Sequence, residues 1–137
     1  METANRWNMM NAACPTRQVL DRIADKWTML VIVALEHGTL RFSEVRRSID
    51  GITQKMLTQT LRALERDGIV DREVIATVPV TVRYSLTPLG HSLADAVGVI
   101  REWAYANMDA IDAARAAYEP GTGAPPTPVA IARAASS

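Results

Sequence analysis

The 137-residue chain contains one cysteine and two histidines. A lone thiol, Cys14, builds neither an internal disulfide framework nor a cysteine-rich zinc site. His37 and His91 stand far apart along the chain, so no metal and no cofactor is expected. No Ser-His-Asp set and no glycine-rich phosphate loop is present either, which argues against an enzyme. No apolar run approaches the roughly 18 residues needed to span a bilayer. The stretch from Met1 to Asn11 carries Glu2 and Arg6 but no apolar segment of the secretory kind. A soluble, cytoplasmic protein without membrane contact is the expectation.

Net charge is missing too. Fifteen basic residues cancel fifteen acidic ones, so global charge does not announce nucleic acid, and distribution matters more. Between Arg41 and Arg66 stand Arg41, Arg46, Arg47, Lys55, Arg62 and Arg66 against Glu44, Asp50 and Glu65. That local cationic excess is modest and is also compatible with a merely solvated face. The hydrophobic share of 48% suits one domain with a modest core.

The chain reads as an N-terminal arm (1–13), a folded domain (14–118) and a disordered Pro/Ala/Gly-rich tail (119–137). Pro15 favours a helix start, and Val19, Leu20 and Ile23 give that first helix an apolar stripe. Asp25 suits the cap of a second helix, Lys26 to Glu36, apolar on nearly every side and therefore central. Thr39 to Arg41 reads as an extended link. A brief helix from Phe42 to Ser48 follows, with Phe42, Val45 and Ile49 inward, and Asp50-Gly51 is a turn signal. Thr53 caps the next helix, in which Leu57, Leu61 and Leu64 share one face. Ile69 to Ala76 and Val80 to Leu86 read as a β-hairpin. Thr87 then caps a long helix from Pro88 to about Ala117.

The fold expected is mainly α with a small β-hairpin wing, an α+β winged helix-turn-helix. Two short helices around Ser48-Ile49-Asp50-Gly51 match the helix-turn-helix, whose second helix presents its N-terminal residues to base edges in the major groove. On the helix from Thr53 to Arg66 the outward side offers Gln54, Lys55, Thr58, Gln59 and Arg62. Gln pairs with adenine, and Lys or Arg with guanine. Thr53 and Ser43, near helix N-termini, suit phosphate, and Arg46 is a further phosphate candidate. Double-stranded DNA is the partner this pattern favours. The same polar face on a protein-interaction winged helix that never touches DNA is the alternative.

A dimer follows from the last helix. Leu93, Val97, Ile100, Trp103, Met108 and Ile111 make a stripe too long for one small domain to cover. With Val19 of the first helix, they are the residues expected at a homodimer interface. Trp27 and Trp103 also fit a plain core role better than a ligand pocket.

Several motifs in order give a specific resemblance: Cys14-Pro15; Asp25-Lys26-Trp27-Thr28; the run from His37 to Glu44; the run from Gly51 to Gly68; Val78-Pro79; and Tyr84 to Gly90. From Cys14 to about Tyr105 the chain resembles the HxlR-type winged helix-turn-helix regulators, relatives of the MarR class. The resemblance implies a homodimer formed through the first and last helices. It implies two recognition helices on a pseudo-palindromic operator, repression as the default, and control of a nearby gene. One departure concerns the wing tip. Family members carry Pro-Pro and a basic residue there, whereas this chain has Val78-Pro79-Val80-Thr81, leaving Arg72 and Arg83 as the wing's basic candidates.

The resemblance also implies that a cysteine at position 14 senses oxidants or electrophiles. Cys14 lies just before a helical turn, where the dipole favours thiolate, and Arg17 is one turn on. Sulfenic acid or an intersubunit disulfide are the products expected of such a thiol. An inert packed cysteine is the competing reading. An oxidant or small-molecule effector thus completes the expected partners.

Overall fold

The computed structural model describes residues 6–121. Residues 1–5 of the expected arm and 122–137 of the expected tail lie outside the described residues. Five helices and three strands follow in the order α1 (Pro15–Ala24), α2 (Lys26–Leu35), β1 (Leu40–Arg41), α3 (Phe42–Ser48), α4 (Gln54–Arg66), β2 (Val70–Ile75), β3 (Thr81–Leu86) and α5 (Pro88–Ala117). The chain divides into two compact units within α5, one ending at Glu102 and the other beginning at Trp103.

The core of the first unit is built on α2 and α4. The Asp25 side chain accepts the Trp27 and Thr28 N–H groups at 2.8 and 3.3 Å, satisfying donors that the first turn of α2 leaves open. Behind that cap Val31, Ile32 and Leu35 are fully buried, as the all-round apolar sequence of α2 requires. Leu57, Leu61 and Leu64 of α4 pack into the same cluster with Val45, Val70 and Leu86. Arg101 of α5 reaches the C-terminal end of α2, where its guanidinium donates to Glu36 Oε1 at 3.0 Å.

The sheet is antiparallel in the order β1-β3-β2. The hairpin β2–β3 pairs Val70 with Leu86 and Ile75 with Thr81 at its two ends, slightly shorter than the sequence reading. The third strand corrects the extended link: Leu40 and Arg41 pair with Tyr84 and Arg83. Two residues are too few to show alternation, so this strand was invisible to pattern.

One joint ties α4, the sheet and α5 together. Gly68, at φ +77, turns the chain out of α4 in the left-handed region that glycine adopts without strain. The Thr87 hydroxyl donates to the Gly68 carbonyl at 2.6 Å and accepts the Gly90 N–H at 3.0 Å. The Thr87 N–H donates to the Ile69 carbonyl at 3.1 Å. Gly90 is buried, and a Cβ there would collide with the Ile69 carbonyl oxygen. The sequence Thr87-Pro88-Leu89-Gly90 is therefore a cap and a close backbone approach in one.

Two expectations about the long helix change. Val97, expected at the dimer face, is only 3% exposed and belongs to the core of its own chain. Leu93 is half-buried against that core. Trp103, for which a core role was favoured, is 61% exposed. Trp27 does pack against the core, with Lys26 Nζ 4.5 Å from its ring centroid.

Candidate nucleic-acid interface

The helix-turn-helix is α3, the turn through Gly51 and α4. Glu44 accepts the Arg41 N–H at 2.8 Å at the start of α3. That bond, reinforced by the Arg41 charge, holds the Glu44 carboxyl below its usual range, so the cap stays ionised at neutral pH. Gly51 takes φ +86 in the turn, and Ile49 and Ile52 on either side are buried. The turn is thus anchored at both ends. Thr53 Oγ1 accepts the Met56 N–H at 3.1 Å, leaving its own hydroxyl proton free to be donated outward.

α4 separates its two faces. Leu57, Thr60, Leu61, Ala63 and Leu64 are buried, while Gln54, Lys55, Gln59 and Arg62 are exposed. Gln54 and Lys55 occupy the first turn, the end that a recognition helix presents to base edges. Thr58, expected on the outward face, is half-buried, because it lies next to the leucine face rather than opposite it. Ser43 and Arg46 are exposed on α3, as is Arg47.

The wing separates its two arginines. Side chains of directly paired residues share a face of a sheet, and consecutive residues alternate. Arg72 pairs with Tyr84, whereas Arg83 pairs with Glu73. Arg72 and Arg83 therefore project from opposite faces of the hairpin and cannot act as one cationic pair. Arg83 has a different cationic neighbour, Arg41, directly across the β1–β3 ladder. Two like charges placed opposite each other are unfavourable unless something anionic lies between them. Glu44 meets Arg41 at 3.5 Å. Arg41 was missed as a site residue, since only the pairing of a two-residue strand brings it beside Arg83. At the wing tip Val78 and Val80 are exposed.

Cys14 is the N-cap residue of α1, and it is half-buried. Its Sγ accepts the Asn8 N–H at 3.2 Å. Hydrogen bonds from the Thr16 hydroxyl and then from Asn8 lower the thiol below its ordinary value, against a smaller opposing effect of desolvation. The lowering is thus the work of hydrogen-bond donors, whereas the sequence pointed to the helix dipole with Arg17 beside it.

The residues expected at a dimer face fall into three groups. Val19, Ile100, Trp103 and Met108 are exposed, joined by Leu20, Leu89, Val99 and Tyr105. Leu93 and Ile111 are half-buried, and Val97 is internal. Among the described residues no cluster of His, Cys, Asp or Glu could hold a metal ion, and no helix is long and apolar enough to cross a membrane.

A family model described as HxlR-like helix-turn-helix matches residues 22–112. The HTH-type transcriptional regulator YtfH of Escherichia coli (strain K12) is 43% identical over 108 residues, which is 79% of this chain and 86% of that protein. Among solved structures, the transcriptional regulator YtfH of Salmonella typhimurium superposes with a TM-score of 0.75 at 42% identity, covering 80% of this chain and 97% of that one. The redox regulator HypR in its reduced form gives 0.67 at 43% identity, covering 72% and 98%.

Proposed function

The chain belongs to the HxlR-like helix-turn-helix family of transcriptional regulators, and from that premise we propose that it represses transcription as a homodimer on a pseudo-palindromic operator. The observation that carries this reading is α4. Its leucines lock it to the core, and Gln54, Lys55, Gln59 and Arg62 remain exposed on the other side. Thr53, Ser43, Arg46 and the Arg41–Arg83 pair supply phosphate contacts around it, with Arg72 on the far face of the wing and Thr58 at the margin. The exposed residues of α1 and α5 form the dimer seam. The molecule works in the cytoplasm, without catalysis.

Selection from a random-sequence DNA library with the full chain, followed by gel shift on the enriched site, tests the reading. The enriched site should contain two half-sites about one helical turn apart. Lys55→Ala and Arg62→Ala should each weaken binding by about 1–3 kcal/mol where the side chain pairs with a base. Affinity should fall steeply with salt. Enrichment of no sequence, with circular dichroism intact, would favour the protein-interaction winged helix instead.

A second observation favours redox control of that binding. The Asn8 N–H and Thr16 hydroxyl beside Cys14 stabilise its thiolate, the nucleophilic form, and the structurally similar HypR is a redox regulator. In this reading two Cys14 thiols of a dimer lose two electrons and two protons to diamide, which becomes the hydrazine, and an intersubunit disulfide forms. Diamide should then release DNA from the parent chain and leave Cys14→Ser bound.

A further inference from the structure

The outer half of the wing carries no charge: from Val74 to Val82 the hairpin has neither acid nor base. Its cations lie nearer the root. Arg72 and Arg83 face opposite ways, as the register requires, and Arg83 has a second cation beside it. Arg41 stands directly across the β1–β3 ladder, a placement that sets two Cβ atoms about 4.5–5.5 Å apart. Thr39, Arg41, Glu44, Thr81 and Arg83 line one hollow of about 370 Å³ there. All five are polar or charged, so the hollow suits a polar occupant.

One carboxylate serves two guanidinium groups in that hollow. Glu44 is committed to Arg41, accepting its backbone N–H at 2.8 Å and meeting its Nε at 3.5 Å. Arg83 is exposed, and among the described residues no carboxylate lies within ion-pair distance of it. That includes Glu73, which stands across the β2–β3 ladder on the same face. Like charges directly opposite in a sheet repel, and an anion that reaches both relieves them. Guanidinium forks match the oxygens of a phosphate with paired hydrogen bonds.

We infer that Arg41 and Arg83 hold one phosphate group between them, with Thr39 and Thr81 at the rim, and that on DNA this is a single backbone phosphate gripped from the root of the wing. The electrostatic hold of the wing thus sits at its base, while the tip, Val78-Pro79-Val80, adds none. β1 runs straight into α3, so the grip is continuous with the helix-turn-helix. It fixes the register of the protein on the duplex without reading sequence. The assignment to DNA rests on the DNA-binding reading, whereas the phosphate site does not.

Inorganic phosphate added to the full chain without DNA tests the site, read from the arginine Nε–H signals in proton–nitrogen NMR. The Arg41 and Arg83 signals should shift together with one saturation constant, and Arg83→Gln should abolish saturation at Arg41. Signals that move separately, or equally in sodium chloride of the same ionic strength, would overturn the site. Gel shift against salt on the selected operator tests its use. The slope of log affinity against log salt counts neutralised phosphates, at about 0.9 each. Arg41→Gln and Arg83→Gln together should flatten it by about 0.9 per subunit, and each alone by less than half of that. A fall of about 1.8 would mean two separate phosphates, and no fall would mean a site away from DNA; either overturns the shared grip. Arg66→Gln, the same charge lost at the far end of α4, should leave the slope as it is, and an equal fall there would reduce the effect to net charge. Phosphate binding by a chain that selects no DNA sequence sinks the regulator reading alone.

Discussion

α4 and α5 both carry apolar residues at helical spacing, yet they leave them in different states. α4 buries Leu57, Leu61 and Leu64 inside its own chain and exposes polar groups. α5 buries only Gly90, Ala94 and Val97, leaving Val99, Ile100, Trp103 and Tyr105 exposed. Full burial of one large apolar side chain contributes about 1.5–3 kcal/mol. Four uncovered residues thus forgo a sum comparable with the roughly 5–15 kcal/mol net stability of a whole domain. Exposed apolar residues of this kind suit the partner contact proposed above. The lesson is that α4 covers its apolar face within one chain, whereas α5 leaves part of its own uncovered.

The contrast breaks most visibly in stability. Leu57→Ala should lower the unfolding free energy by about 2–5 kcal/mol in a urea titration. Ile100→Ala, in dilute protein where chains are apart, should cost less than about 0.5 kcal/mol. Equal losses would erase the distinction between the helices.

Self-association sharpens it from the other side. Placing Asp at both Ile100 and Trp103 should leave the far-ultraviolet circular dichroism unchanged and weaken dimerisation on the order of a hundredfold, because two unpaired charges would enter an apolar seam. Sedimentation velocity reads the change. An unaltered dimer would mean that this stretch of α5 is not the seam.

Smaller effects probe how each helix begins. Thr53→Ala removes the acceptor for Met56 N–H and should cost about 1 kcal/mol, measured in the same urea titration. At α1, Thr16→Val removes the strongest donor to the Cys14 thiolate, so the thiol should titrate higher. The midpoint of iodoacetamide alkylation against pH should lie below the ordinary thiol value in the parent chain and rise towards it in the variant. A midpoint indifferent to Thr16 would leave α1 with exposed apolar residues but no tuned thiol.

The parts of the molecule governed by local chemistry were legible in the sequence. Asp25, Thr53 and Thr87 announce helix starts because their side chains bond to the next turn, and the leucine spacing of α4 gives its buried face directly. What escaped depends on contacts remote in sequence. β1 is too short to show a period, and it exists only because β3 offers it a ladder. Arg41 becomes a site candidate only through that ladder. Val97 and Ile100 lie one helical step apart on the same stripe, yet one is internal and the other open, because the core is narrower than the stripe. The split of Arg72 from Arg83 follows from register, which no single strand reveals. At Cys14 the groups that lower the thiol are a hydroxyl and a backbone N–H, where the sequence pointed to the helix dipole and Arg17.

The Thr87 joint has a mechanical consequence. A hydroxyl held on both sides, with Gly90 pressed against the Ile69 carbonyl, leaves no slack between the end of the reader and the opening turns of the long helix. The joint thus couples the two helices directly. In the proposed reading, a surface that tilted the beginning of α5 would carry the exposed side chains of α4 with it, so binding at the groove would be adjustable from behind.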